Sequence, residues 1–516
     1  MKIRNALSFH SITIISIAIA GVGKVFGLLR ELLLAGYYGA SVYTDAYVMS
    51  TMVPLIIMGF VQSFTVVFTP IYINAKTNKG INVSDDYFKQ LLVILIAVSG
   101  IMIIMVELFC PNIVEIVAPG FDDETTNITI IFVRISIFTG LTSAIVELCL
   151  AFLRCNDKYL FASSICLIVS PIECFFIVLG AKTQRWLLVL GPVVAQVIQV
   201  IISILMIELI LQNRKDYSHK AMFLKDEIIH SFSMVIPIFL GSMASQISTY
   251  VDKMFASNLP LGTVSSLNYA EKTYTMINTL IFLTISTVLF PNISQLCQEG
   301  DKTNLKSHLR RLIEVVIILG VIITVISILF GEDIITALFK RGSFTSELAK
   351  STSYSFSLYM IGFTALGIHE MLSRVFYGLD KSKSEMIIGF MIVLVNIVLD
   401  YVLVGRLGQP GLPLATSISL LSSIPINYIY LRKEIGKVHI NVYIIAFLKC
   451  IFASVIGFGT TKVGAHLLGL SNVYFKLPIC IILGSVFTIV ILKMIGLREI
   501  DLLNEALKRS MKGINR

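Results

Sequence analysis

Long apolar segments separated by short polar ones recur along the whole chain. Each is about 18 residues or longer, which is enough for a helix to cross about 30 Å of hydrocarbon. The pattern predicts an all-α polytopic membrane protein with about fourteen transmembrane helices, two six-helix lobes and two extra helices. The predicted spans lie at approximately 9–36, 43–75, 87–109, 124–153, 159–180, 185–212, 229–256, 264–297, 305–330, 344–378, 385–405, 411–432, 442–468 and 473–496.

Composition excludes a soluble enzyme. Of the 516 residues, 56% are hydrophobic and only 14% are charged, too few to cover the surface of a water-soluble protein of this length. The eight cysteines and seven histidines show no metal-ligand spacing, so no cofactor is expected. The predicted outer loops are too short to fold into a catalytic domain. We therefore predict a transporter, not an enzyme.

Lysine and arginine are distributed asymmetrically between alternate loops. With the N-terminus inside, cytoplasmic segments hold 26 of these residues and outer loops hold 7. Such a bias predicts a multi-pass membrane protein with both termini in the cytoplasm. The net charge of +9 then reflects topology, and a nucleic-acid partner is not expected.

A basic linker at about 213–228 separates two sets of six spans that share local sequence. Phe138-Thr139-Gly140-Leu141, followed by Asp157-Lys158, has a counterpart in Phe363-Thr364-Ala365-Leu366, followed by Asp380-Lys381. Six-plus-six repeats are a common transporter plan. The predicted domains are an N-lobe at 1–228, a C-lobe at 229–434, two added helices at 435–496 that lie outside the repeat, and a cytoplasmic tail at 497–516. That tail is predicted as an amphipathic helix on the inner leaflet or as a solvated segment.

Ionisable residues inside spans are costly and usually functional. From the rise per residue, Asp45, Arg30, Lys272 and Lys24 lie about 3, 9, 12 and 18 Å from the outer ends of their spans. Cations at graded depths suit an anionic substrate that crosses the bilayer. The alternative is structural, with Arg30 paired to Asp45 or Glu31 and Lys272 to the neighbouring glutamate.

A second predicted cluster consists of hard oxygen ligands. Asn396 and Asp400 are four residues apart on one helix face, and Thr416 and Asp252 lie at a similar depth near the outer surface. Carboxylate, amide and hydroxyl oxygens suit Na⁺ or a proton. A hydrogen-bond network at the helix ends is the alternative. The sequence assigns no role to five further charges within spans, Glu147, Glu173, Glu208, Glu370 and Arg374.

Several stretches resemble the MurJ/MviN lipid II flippase family, within the wider MATE-like (MOP) exporter superfamily. They include Gly-Leu-Leu-Arg-Glu at 27–31, Thr-Asp-Ala-Tyr at 44–47, Arg-Val-Phe-Tyr-Gly-Leu-Asp-Lys-Ser-Lys at 374–383, Val-Asn-Ile-Val-Leu-Asp at 395–400 and Gly-Leu-Pro-Leu-Ala-Thr at 411–416. The resemblance runs over nearly the full length.

The resemblance implies a flippase of the bacterial cytoplasmic (inner) membrane for an undecaprenyl-pyrophosphate-linked peptidoglycan precursor, with roles in cell wall biogenesis and cell shape. The headgroup would cross a cationic cavity by alternating access, with Na⁺ or H⁺ as a coupling ion, while the lipid tail follows spans 13 and 14. It places Lys24, Arg30, Asp45 and Lys272 in that cavity and Asp252, Asn396, Asp400 and Thr416 at the cation site. The expected partners are the lipid-linked substrate and membrane lipids, and the expected state is a monomer.

The chain also departs from the family pattern, which leaves alternatives open. Two family arginines appear as Lys24 and Lys272, and a double arginine in span 2 falls on Met58 and Gly59. Lysine keeps the charge but loses the bidentate fork that suits pyrophosphate. A flippase for another polyprenyl-linked glycan, such as an exopolysaccharide or O-antigen precursor, is one alternative. A MATE-like cation-coupled small-molecule exporter is the other.

Overall fold

The computed structural model describes residues 9–212, 214, 224–299, 302–436 and 440–496. Regular structure in these residues consists of twenty α-helices and one π-helical turn, Thr279–Leu283. The α-helices, in chain order, are α1 Phe9–Tyr38, α2 Val42–Ser50, α3 Met52–Asn78, α4 Ile81–Leu108, α5 Cys110–Val117, α6 Asp123–Ser136, α7 Phe138–Cys155, α8 Tyr159–Cys166, α9 Val169–Lys182, α10 Leu187–Gln212, α11 Lys225–Ser257, α12 Thr263–Asn278, α13 Thr284–Gln298, α14 Lys302–Phe339, α15 Ser346–Ile361, α16 Phe363–Gly378, α17 Ser382–Leu407, α18 Gly411–Ile435, α19 Ile440–Leu467 and α20 Val473–Met494.

Ten helical segments of the described chain are long and apolar enough to cross a membrane. This confirms an all-helical, multi-pass membrane protein, and the predicted count of about fourteen is roughly consistent with it. The other four predicted spans correspond to α1, α11, α12 with α13, and α15 with α16.

Large apolar side chains are exposed on the outer helix surfaces. Leu108 is 71% exposed, Leu467 80% and Met494 82%. A water-soluble protein does not expose contiguous apolar surface on this scale, whereas helices that face lipid do. The exposed side chains therefore mark the lipid-facing surface.

The first of two compact units comprises Met1–Ser265 with Arg341–Phe344. Its core is aromatic where α3, α4 and α7 meet, because the rings of Phe88 and Phe152 lie 4.3 Å apart and those of Phe68 and Tyr87 stack at 5.7 Å. Such ring pairs add to the stabilisation from buried area. They fix α3 and α4, and with them the neighbouring polar side chains, against α7.

Two glycines allow main-chain contact between α1 and the segment 341–344 of the same unit. Gly39 has a φ of +57°, and a side chain there would meet the Ser343 carbonyl oxygen at 2.5 Å. Gly342 has a φ of +55°, and next to it the Ser343 N–H donates to the Gly36 carbonyl oxygen at 2.7 Å. Only glycine combines this φ with so close an approach.

The second compact unit comprises Ser266–Lys340 and Thr345–Arg516. Its α14 packs against α15, α16 and α19, and α19 packs against α20. A side chain at Gly457 would lie 2.8 Å from the Thr488 amide nitrogen. Small residues thus let α19 and α20 approach closely, as is common where helices pack inside a membrane.

Matching local structure supports the sequence repeat between α6–α7 and α15–α16. The Asp122 side chain accepts from the Thr125 N–H at 3.1 Å to cap α6. Hydrogen bonding to Thr125 holds the pKa of Asp122 below its usual range. Thr345 caps α15 in the same way by accepting from the Leu348 N–H at 3.2 Å. After α7 and α16, Asp157 and Asp380 have φ values of 60° and 57°. A non-glycine residue in this region is uncommon, so the coincidence is informative.

The predicted lobes, 1–228 and 229–434, divide the chain elsewhere than the compact units and stay a proposal. The predicted tail at 497–516 and most of the linker at 213–228 lie outside the described residues.

Candidate functional site

Arg30 lies on α1 between two carboxylates. Its Nη2 donates to Glu31 Oε1 at 2.6 Å and its Nη1 donates to Glu173 Oε2, on α9, at 2.9 Å. The Arg30 side chain is 29% exposed, while residues Glu31 and Glu173 are 8% and 6% exposed. A charge-assisted pair of this kind is stronger than a neutral hydrogen bond.

This Arg30 cluster (Arg30, Glu31 and Glu173) carries one positive and two negative charges. The structure thus contains one of the pairings considered as a structural alternative, that of Arg30 with Glu31. It also adds Glu173, 143 residues away in sequence, to which the sequence assigned no role. No periodicity links positions on two distant helices, so a single sequence carries no signal for this contact.

The Asp45 carboxylate accepts hydrogen bonds from two main-chain N–H groups and one hydroxyl. The donors are the Gly262 N–H at 2.7 Å, the Ser265 N–H at 2.8 Å and the Ser265 hydroxyl. Asp45 is 1% exposed. These donors lie at the beginning of α12, where unpaired N–H groups and the helix dipole favour an anion.

The two predicted lysines differ from Arg30 in exposure. Lys24 lies on α1, six residues before Arg30, and its side chain is exposed. Lys272 lies on α12 in the second unit and is also exposed. Neither lysine is therefore enclosed in the packed interior of its unit.

The residues of the predicted cation site fall in both units. Asn396 and Asp400 are 1% and 0% exposed on α17, and the Thr416 hydroxyl on α18 donates to the Leu412 carbonyl oxygen at 3.1 Å. Asp252 is half-buried on α11 in the first unit. Among the described residues, no three His, Cys, Asp or Glu side chains could hold a metal ion together.

Glu370 and Arg374 have hydrogen-bond partners on neighbouring elements. Glu370 Oε1 accepts from Asn278 Nδ2 at 2.8 Å, and Arg374 Nε donates to Ser286 Oγ at 3.0 Å. Asn278 directly precedes the π-helical turn, a form of backbone often found at functional positions.

An apolar cavity of about 300 Å³ lies in the second unit. Its walls come from α14, α15, α16, α18 and α19, with Ile317, Leu421, Tyr443 and Phe447 among the residues that line it. Its lining suits a hydrocarbon chain better than a polar ligand.

Comparison with known proteins identifies the family. The family model described as lipid II flippase MurJ matches residues 34–468. A probable lipid II flippase MurJ of Rickettsia prowazekii is 22% identical over 428 residues, 81% of this chain and 83% of that protein. One of Helicobacter pylori is 24% identical over 410 residues, 75% of this chain and 87% of that protein.

Solved structures show the same fold. A lipid II flippase MurJ in an inward closed conformation aligns with a TM-score of 0.78 and 22% identity, over 93% of this chain and 98% of that one. An inward-facing multidrug resistance MATE family transporter of the MOP superfamily aligns with a TM-score of 0.63 and 13% identity, over 82% and 98%. With the family model matching most of its length, this chain belongs to the MurJ lipid II flippase family.

Proposed function

We propose that this protein moves lipid II, an undecaprenyl-pyrophosphate-linked peptidoglycan precursor, from the inner to the outer leaflet by alternating access. The observation that carries the proposal is Arg30, a guanidinium held by buried partners among apolar helices. A charge in such a place is expensive and is retained where a substrate or ion uses it. The relatives are named as lipid II flippases, which supplies the substrate class.

Arg30, Lys24 and Lys272 are the proposed contacts of the diphosphate. Because Arg30 already binds two carboxylates, an incoming diphosphate competes with Glu31 and Glu173 for the same N–H groups. A guanidinium suits this exchange, since its planar fork binds carboxylate and phosphate oxygens alike. Lys24 and Lys272 are exposed, so each can contact the diphosphate without first releasing a carboxylate.

The apolar cavity supports a site for part of the lipid tail. It includes Ile440, Tyr443, Ile444 and Phe447 of α19, which belongs to the predicted tail groove at 435–496. The tail already lies in hydrocarbon in the bilayer, so this cavity offers it a comparable apolar surface. The tail is thus retained in an apolar medium while the headgroup crosses.

Asp252, Asn396, Asp400 and Thr416 are the proposed coupling site, and their oxygens fit Na⁺ or a proton. A bound cation would bias one conformation over another through its differential affinity. Substrate transport that is indifferent to Na⁺ and unchanged by Asp400→Asn would contradict this assignment.

A flippase for another polyprenyl-linked glycan is the second candidate. Gly59 stands where the family has an arginine, and a side chain there would meet the Met243 methyl group at 2.9 Å. Helices α3 and α11 therefore pack closely at a position where the family has a charged residue. That difference favours a headgroup other than that of lipid II.

Complementation of a flippase-depleted strain tests the proposal. We expect the wild-type chain to restore growth, and Arg30→Ala and Lys272→Ala to lose most of that activity. Lys182→Ala is the matched control, because it removes an exposed lysine at the end of α9 and should grow as wild type. Failure of the wild-type chain, with rescue of a defect in another surface glycan, would select the second candidate.

A further inference from the structure

Four polar side chains meet in the second unit, apart from the sites described so far. Glu385, in the first turn of α17, accepts from the Ser373 hydroxyl of α16. His369 Nε2, also on α16, lies 3.6 Å from the same carboxylate oxygen. On the other side of the imidazole ring, Nδ1 lies 3.4 Å from Nδ2 of Asn427 on α18. The cluster therefore joins three helices.

The cluster is buried, and two of its oxygens have no hydrogen-bond partner among the described residues. Glu385 is 8% exposed and Asn427 1% exposed, and the atoms concerned are Glu385 Oε2 and Asn427 Oδ1. A buried acceptor without a donor destabilises the folded protein, and more so when the acceptor is charged. Among the described residues, the cluster therefore has no donor for these two oxygens.

Other charged groups on the surrounding elements are directed to other partners. Glu370 and Arg374 of α16 bond to Asn278 and Ser286, on α12 and α13. Four further charged groups lie on α14, on α18 and just before α17. Arg310 pairs with Glu314 on α14, and Lys381 pairs with Glu434 of α18 at 3.2 Å. His369 is the basic group paired with Glu385, whereas the nearby Tyr377 of α16 has no positive charge to offer.

We propose that His369 and Glu385 form a proton-binding site that takes up one proton from the side of the membrane where α17 begins. With neutral His369 and ionised Glu385 the pair carries one buried negative charge, supported by Ser373. One added proton, shared between the imidazole and the carboxylate, makes the pair neutral overall. No bond between heavy atoms forms or breaks, and the proton comes from water.

The donor set favours a proton over a metal ion. Na⁺ and Mg²⁺ prefer several hard oxygen ligands, whereas this cluster pairs its single carboxylate with an imidazole, and the Ser373 hydroxyl already donates to that carboxylate. Histidine is also the side chain whose charge changes between about pH 5 and 8. The predicted orientation places the first turn of α17 at the cytoplasmic side, so this site would respond to cytoplasmic pH.

Nuclear magnetic resonance of the full-length protein in lipid nanodiscs, with isotope-labelled histidine, tests the proposal without any substrate. The chain has seven histidines, and loss of one signal in His369→Gln assigns that of His369. We expect this signal to change in a single step between about pH 5 and 8. Glu385→Gln should displace the midpoint of the step by at least about one pH unit, and Ser373→Ala should displace it by less.

Glu434→Gln is the matched control, because it removes the carboxylate that pairs with Lys381 and should leave the step in place. A His369 signal that stays constant over this pH range would overturn the proposal. So would a midpoint that neither Glu385→Gln nor Ser373→Ala displaces. Ser373→Ala keeps the test decisive if Glu385→Gln does not fold. The measurement is independent of transport, so its outcome is separate from that of the proposed function.

Discussion

Arg30 of the first unit contacts two carboxylates, while Glu385 of the second unit contacts one histidine. Both clusters are buried between helices that pack side by side. The Arg30 guanidinium stays charged at every physiological pH, so its cluster always contains one fixed positive charge. The charge on an imidazole changes with pH, so the His369–Glu385 pair can be balanced by a proton alone.

This difference separates two ways of using charge inside a membrane. The Arg30 cluster is suited to exchange one anion for another, which fits binding of a diphosphate. The His369–Glu385 pair is suited to sense pH and has no fixed cation to offer an anion. Substitutions that affect only the Arg30 cluster, or only the surroundings of the His369–Glu385 pair, can test whether anion exchange and pH sensing are separate.

Arg30→Ala should have the largest effect. It leaves Glu31 and Glu173 buried without their cation, and we expect a loss of about 3–5 kcal/mol of stability. Thermal unfolding in detergent measures this. Adding Glu173→Gln should restore much of the stability but not complementation. If the double variant also regains complementation, Arg30 acts on packing and not on substrate.

Asp45→Ala should cost about 2–3 kcal/mol, because it removes the acceptor of two main-chain N–H groups at the beginning of α12. Thermal unfolding checks this value as well. Asp45→Asn keeps one oxygen and should cost less. Equal losses in the two variants would mean that the hydrogen bonds to the carboxylate contribute little.

Ser373→Ala should have a smaller effect, about 1.5 kcal/mol, because it removes one hydroxyl donor to Glu385. Unfolding by denaturant, compared with Ser233→Ala as an exposed control, measures the difference. In the Glu385→Gln background the cost should shrink, since the acceptor no longer carries a charge. A cost that is the same in both backgrounds would argue against a charged Glu385.

Glu227→Gln should have the smallest effect on stability, because its partner Lys79 is exposed and not buried. Glu227 precedes the predicted span at 229–256, and the hydrogen bond from Lys79 holds the pKa of Glu227 below its usual range. A lowered pKa in the folded state stabilises the protein above the unfolded pKa of about 4.3, and the benefit disappears as pH falls through the folded value.

For an exposed pair we expect less than about 1 kcal/mol at neutral pH. Melting temperatures of wild type and Glu227→Gln, followed from about pH 7 to about pH 3, should therefore converge at the acid end. A gap that widens toward acid would reverse the sign of this prediction.

The fold was largely predictable from the chain, because each apolar segment must form a helix in lipid to satisfy its own backbone. The local sequence repeat between the two sets of spans was visible as well. Its two aspartates, Asp157 and Asp380, have similar positive φ values. Breaks within spans were not predictable, such as the one between α15 and α16 at Gly362. They depend on packing against neighbours and leave little local signal.

The candidate site was predictable only in part. Charges within spans identified Arg30 and Asp45, because hydrocarbon makes such residues rare. Their partners, Glu173 and the main chain at Gly262, come from distant parts of the chain. His369 and Glu385 carry no signal in the sequence, because each is ordinary by itself and only the folded chain brings them into contact.

The carboxylate of Asp45 has a property that the ion pairs lack. Its main-chain donors at Gly262 and Ser265 have no net charge for dissolved ions to screen and no side chain for a mutation to remove. Rising ionic strength, which weakens an exposed pair such as Lys79 with Glu227, should leave this contact in place. A salt series would therefore separate the two kinds of contact in one sample.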